Sequence, residues 1–255
     1  IADESMVVTV SSAGYIKRLP VSTYRKQRRG GKGITGMETK EEDFVRDLFI
    51  ASTHQYMLFF SNAGRVYWRK VHELPKAGRT ARGRAIVNLL NLSGEERITA
   101  CLPVRDLKED GKNVFMVTRN GTVKKTLLKA FSNPRSAGII AIDIDEGDQL
   151  IDVQITTGED NILLATAQGK AIRFPEKDVR SMGRSARGVV GIRLEQGDSV
   201  IGMSLAADES TVLTVTENGY GKRTKVGEYR LQHRGGQGII NIKTSERNGL
   251  VVGML

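Results

Sequence analysis

The stretch Gln27-Arg28-Arg29-Gly30-Gly31-Lys32-Gly33 sets three cations among three glycines. Neighbouring glycines let successive backbone N–H groups turn toward one anion, and flanking Arg and Lys neutralise nearby phosphates, so this spacing predicts a phosphate clamp. The competing reading is a loop between strands whose cations are merely solvated. A nucleotide-binding P-loop is excluded, because Gly-x-x-x-x-Gly-Lys-Ser/Thr is not satisfied and no strand-then-helix pattern surrounds the segment. Lys17, Arg18, Arg25 and Lys26 extend the charge, giving seven basic and no acidic residues from Tyr15 to Lys32.

Cations return along the chain. Arg69-Lys70, Lys124-Lys125, Arg173 and Lys222-Arg223 each follow a turn glycine, while Arg79, Arg82, Arg84, Arg135, Arg184, Arg187 and Arg234 occupy later glycine-containing segments. All are candidate contacts to a long polyanion. The overall excess of 39 Lys+Arg over 29 Asp+Glu agrees with a nucleic acid or another anionic surface as partner. The acids gather in turns such as Asp145-Glu146-Gly147-Asp148, so one face is expected to be basic and the opposing turns acidic.

The elements that must carry these cations repeat. Turn glycines Gly14, Gly64, Gly121, Gly169 and Gly219 are 50, 57, 48 and 50 residues apart, a period that predicts stacked or radial copies of one supersecondary unit. Each unit opens with a β-rich run: Met6 to Val10, Tyr56 to Phe60, Val114 to Thr118, Ile162 to Thr166 and Val212 to Thr216. A Gly-containing hairpin turn follows, then a basic arm, then a second Gly-rich segment leading into a third strand. After an acidic turn a fourth apolar run ends the unit. Four short strands in about 50 residues match a propeller-like blade, and the absence of a sustained 3.6-residue period leaves helix a minor component. The reading is one all-β domain over residues 1–255, about five four-stranded blades, with repeats at approximately 5–52, 53–112, 113–160, 161–209 and 210–255. If fourth runs pair with the next repeat, Leu250 to Leu255 either closes a ring on the first blade or awaits a sixth repeat.

Catalytic chemistry is not expected from these residues. His54, His72 and His233 are solitary, the acids lie in turns, and no nucleophile stands beside a base, so neither an active site nor a metal site is predicted. Cys101, the only cysteine, sits in an apolar run and reads as a buried small residue compatible with a reducing compartment. The start at Ile1, without a basic-then-apolar leader, reads as an excised fragment. No apolar run approaches the roughly 18 residues of a membrane helix, so a cytoplasmic protein with no membrane partner is expected.

The Gln27 to Gly33 motif resembles the seven-residue signature of the C-terminal domain of the DNA gyrase A subunit, and the resemblance extends over essentially the whole chain. Gly64-Arg-Val-Tyr-Trp68, Ala81 to Asn88, Pro134 to Ile140, Gly183 to Gly188 and Glu217 to Arg223 are similar to that family as well. The resemblance implies a strand-exchanged propeller, the β-pinwheel, with six blades in many members. It implies that a basic rim wraps duplex DNA with little base specificity, so that a bacterial type II topoisomerase introduces negative supercoils. The partners implied are duplex DNA, the gyrase B subunit and the remainder of the gyrase A subunit. Cleavage residues, ATP and Mg2+ would belong to other domains, with no cofactor in this fragment. The nearest rival is the equivalent domain of the topoisomerase IV A subunit, which serves a decatenating enzyme and typically lacks an intact first signature. A propeller for protein interaction is disfavoured: adjacent glycines occur only at Gly30-Gly31 and Gly235-Gly236, and the single tryptophan, Trp68, cannot supply a Trp-Asp per blade and is expected to pack in the core.

Overall fold

In the computed structural model every residue is described except Arg25, Gln27, Arg28, Lys32, Lys40 and Glu41. The chain is all-β, with only short 3-10 turns between strands among the described residues. Each predicted opening run is a strand, from Ser5–Ser11 in the first repeat to Thr211–Thr216 in the fifth. It pairs antiparallel with the arm beyond its turn, as Asn161–Thr166 does with Lys170–Pro175. All five turn glycines have positive φ, 77° to 89°, which is the backbone these tight hairpins need.

The fourth run pairs with the opening strand of its own repeat, so the condition under which it would join the next repeat is not met. Val45–Ser52 lies on Ser5–Ser11, Val200–Leu205 on Asn161–Thr166, and Val251–Met254 on Thr211–Thr216. The exchanged element is the two-residue third strand. Arg84–Ala85 of the second repeat closes the sheet of the first, Val189–Val190 of the fourth closes that of the third, and Ile239–Ile240 of the fifth closes that of the fourth. Four sheets thus have four strands, and the fifth, formed by Gly221–Lys225, Thr211–Thr216 and Val251–Met254, has three.

A glycine makes the exchange feasible. Gly188 (φ 103°) and Gly238 (φ 75°) precede exchanged strands, and a Cβ on either would lie 2.4 Å from a backbone oxygen of the preceding repeat, Val123 and Ala171 respectively. Only a residue without a side chain lets the two backbones come so close.

The described residues gather into two compact units, one of Ile1–Ser61, Val66–Leu107 and Pro134–Ile139, the other of Asn62–Arg65, Lys108–Asn133 and Ile140–Leu255. The core of the first packs Met6, Val8, Val10, Met57, Phe59 and Tyr67 around Cys101. In the second, Phe115, Val117, Ile162, Leu164 and Phe174 form the larger cluster, and Leu163, Val212, Val226 and Tyr229 a smaller one. Opening strands such as Asn113–Thr118 are buried along their whole length, hence apolar runs instead of alternation. Thr211–Thr216 alternates buried and open positions, because one of its faces is uncovered.

Candidate nucleic-acid interface

The basic arms separate into buried and exposed cations. Lys17 and Lys124 are 0% exposed, and Lys125 and Arg173 are also buried, so these four proposed contacts cannot meet a phosphate. The reason is the next repeat, whose loop crosses the arm through the parallel bridges Arg18↔Lys76, Lys125↔Ser181 and Arg173↔Leu231. Their charges are met instead by backbone carbonyls. Arg18 Nε and Nη2 donate to the carbonyls of Leu74 and His72, both at 2.9 Å, and Lys125 Nζ donates to that of Glu176 at 3.0 Å. Arg173 Nη1 donates to the carbonyls of Val226 and Tyr229 at 3.5 and 3.4 Å, while its Nη2 pairs with Asp208. Every one of these carbonyls belongs to, or adjoins, the 3-10 turn after the next repeat's second strand: Val71–Glu73, Glu176–Asp178 or Val226–Glu228. The arm cations are staples from sheet to sheet.

Burial has its electrostatic signature here. Desolvation, then the nearby Arg184 charge, lowers the Lys124 pKa to about 8 against the pull of Asp143, and Lys17 is lowered by burial and Arg79 against Glu38.

The Gly-rich boxes are the second layer. Arg79, Arg184 and Arg234 stand at the same place in their repeats, each half-buried. Each donates through Nη1 to a carbonyl two residues beyond the box glycine of an earlier repeat: Thr35 at 3.1 Å, Ile140 at 3.2 Å and Val190 at 2.9 Å. Arg234 Nε also donates to the Asp178 carbonyl at 3.0 Å. A guanidinium has five N–H donors, so one such tether leaves most of the group to bind an anion. In the fifth repeat, whose box also has paired glycines, the Gly235 N–H donates to the Gly191 carbonyl at 2.7 Å and is spent inside the fold.

The other candidates take varied positions. Lys26, Arg29, Gly30, Gly31, Gly33, Arg84, Arg135, Arg187, Lys222 and Arg223 are exposed. Arg187 pairs with Asp143 and Asp145 at 3.1 and 3.2 Å, and Lys222 Nζ donates to the Asn241 carbonyl at 3.1 Å. Arg82 is half-buried over the Tyr15 ring at 5.4 Å, and Lys70 sits 3.6 Å above Tyr56. Arg69 donates to the carbonyls of Trp68 and Leu89, with Trp68 itself in the core as expected. Four candidates, Arg25, Gln27, Arg28 and Lys32, lie outside the described residues. Two exposed arginines, Arg180 and Arg230, were not singled out in the sequence although each stands four residues before a box arginine.

The three histidines have local partners. The rings of His54 and His72 face the carbonyls of Ile1 and Thr53 at 2.9 and 3.2 Å, and that of His233 the Asp178 carboxylate at 3.1 Å. Burial pushes the Cys101 thiol up to about 12, so it is protonated. No group of three or more His, Cys, Asp or Glu with metal-ligating geometry occurs among the described residues. No helix among them is long and apolar enough to cross a membrane.

Together these features define a strand-exchanged blade-repeat protein in which three repeat boxes each carry a tethered arginine. A family model described as DNA gyrase C-terminal domain, beta-propeller, matches residues 5–52, 55–105, 112–157, 160–207 and 210–255, and the chain belongs to that family. It is 56% identical over 186 residues to the DNA gyrase A subunit of Salmonella typhimurium, covering 73% of this chain and 21% of that protein. The chain therefore spans about a fifth of the length of the curated relatives it matches. Solved structures with the same fold include the C-terminal domain of DNA topoisomerase IV (29% identity, TM-score 0.82, 100% of this chain and 78% of that one). The DNA gyrase A C-terminal domain follows at 27% identity and TM-score 0.80, covering 99% of this chain and 82% of that one. Backbone likeness does not separate the two enzymes, but the family model and the gyrase relatives favour gyrase over topoisomerase IV.

Proposed function

We propose that this chain binds, bends and wraps duplex DNA with little sequence preference, and so lets a bacterial DNA gyrase introduce negative supercoils. The observation that carries the reading is the recurrence of Arg79, Arg184 and Arg234 at one place in three repeats, each held by the same kind of tether to the preceding repeat and flanked by exposed Lys and Arg. Such cations meet phosphates and not base edges, which positions a duplex without reading it. Bending a segment of 20 to 30 bp costs on the order of 1 to 6 kcal/mol, which several phosphate contacts offset. Lys26 and the Gln27 to Gly33 box, Arg29 included, would fix where the wrap begins. The partners are the gyrase B subunit, with the rest of the gyrase A subunit, on nucleoid DNA in the cytoplasm. Strand cleavage, ATP and Mg2+ belong to those other parts.

Binding the chain to a nicked plasmid, ligating and measuring the linking-number change tests the wrap. A change of constant sign that grows with bound protein is expected. Steep duplex binding with no linking change would leave a DNA-binding module and remove the wrap.

A further inference from the structure

Lys17 and Lys124 are buried where no DNA reaches them, yet both end on the same atom of the repeat that follows. Lys17 Nζ donates to the carbonyl of Arg79 at 2.6 Å and of Gly78 at 2.9 Å. Lys124 Nζ donates to the carbonyl of Arg184 and, at 2.7 Å, to that of Ala141. The arginine gripped by its carbonyl is in each case the box arginine, whose guanidinium is tethered separately to Thr35 or Ile140. Arg79 and Arg184 are thereby held at both ends, backbone and head group. Lys222 provides the contrast. It holds the same register position in the fifth repeat and donates to the Asn241 carbonyl, but it grips no box arginine and is exposed.

We propose that Lys17 and Lys124 are positioning residues of the DNA interface: through the carbonyl of the box arginine they preset its guanidinium for a phosphate they never touch. The inference rests on the duplex-binding reading above. Its physical basis is preorganisation, since an arginine already fixed at both ends loses less freedom when it captures an anion. The electrostatics agree. Burial and Arg184 disfavour the Lys124 ammonium while Asp143 favours it; Arg79 and Glu38 stand in the same relation to Lys17. A phosphate on Arg184 would cancel that arginine's charge and favour the ammonium, so DNA and a proton should bind cooperatively above pH about 8.

The test is a double-mutant cycle on binding of a fluorescein-labelled duplex across a salt series. Lys124→Met keeps the apolar stem and removes the ammonium. It should weaken duplex binding several-fold at fixed salt with the slope of log affinity against log salt unchanged, because Arg184 still meets its phosphate; Arg184→Gln should make that slope less negative by about 0.9, and in its background Lys124→Met should cost nothing more. An unchanged affinity in Lys124→Met, or losses that add, would overturn the proposal. Lys17→Met with Arg79→Gln gives an independent cycle if Lys124→Met does not fold. Should both Met variants fail to fold, the unaltered protein decides through its pH profile: duplex affinity at fixed salt should fall from pH 7 to about pH 9, and a constant affinity overturns the idea. Trypsin cleavage after Arg184 in DNA-free protein keeps the two readings apart. It should be several-fold faster in Lys124→Met even if duplex binding itself proves absent, and an unchanged rate would contradict the grip.

Discussion

Lys124-Lys125 and Lys222-Arg223 are the same kind of dipeptide, three and four residues after a turn glycine, yet one pair is buried and the other exposed. The difference lies in what covers the second strand. Thr122–Leu127 receives the exchanged strand Val189–Val190 and the loop before it, which bring carbonyls down onto both lysines. Gly221–Lys225 receives no exchanged strand, and its cations face outward. A cation in this repeat is therefore a buried staple or an open charge according to its neighbour, not its own sequence position. Buried staples should act on stability, and open cations on DNA.

The largest expected divergence is in stability. Lys125→Ala removes the cation beside Glu176, which is fully buried and also accepts from Thr156 Oγ1 and the N–H groups of Gly158 and Asp160. Leaving that carboxylate without its cation should cost about 3 kcal/mol in urea unfolding, whereas Arg223→Ala should stay within about 0.5 kcal/mol. Equal losses would erase the distinction. Gly188→Ala and Gly197→Ala sharpen it through the backbone. Both glycines have positive φ, but a Cβ at Gly188 would meet the Val123 oxygen at 2.4 Å, while at Gly197 the nearest atom is Gln168 Nε2 at 3.7 Å. Gly197→Ala should cost about 1 kcal/mol for its backbone conformation alone, and Gly188→Ala clearly more because the exchanged strand must move.

The smallest effect is titration. Lys124 has its pKa lowered on folding, so between pH about 8 and its ordinary value of 10.5 the unfolded chain holds more protons than the folded one. Its contribution to stability should therefore rise through that window as the penalty of a buried charge disappears, opposite in sign to the expected loss of DNA affinity. Thermal midpoints of the parent and Lys124→Met across this range check it: the parent should gain relative to the variant, and parallel curves would count against a buried ammonium.

Much of the fold was legible because strand runs and positive-φ turn glycines are local signals. Val114 to Thr118 and Gly121 announce a hairpin whatever surrounds them. Which strand is exchanged was not legible. The fourth runs are longer than pairs such as Val189–Val190, and nothing local reveals that the short pair crosses to another sheet. The site suffered from the same blindness. Arg79, Arg184 and Arg234 stood out through their glycines, but the burial of Lys17, Lys124, Lys125 and Arg173 depends on chain about 50 to 60 residues away. Lysine at such a position reads as surface until the neighbouring repeat is in place.

If open cations meet phosphates, the salt dependence of duplex binding counts them. The intact chain should give a slope near −5 if about six phosphates are neutralised, and Lys222→Ala/Arg223→Ala should reduce its magnitude by about 2 with an unchanged unfolding midpoint. A flat salt response, or a double variant whose slope matches the parent's, would contradict it.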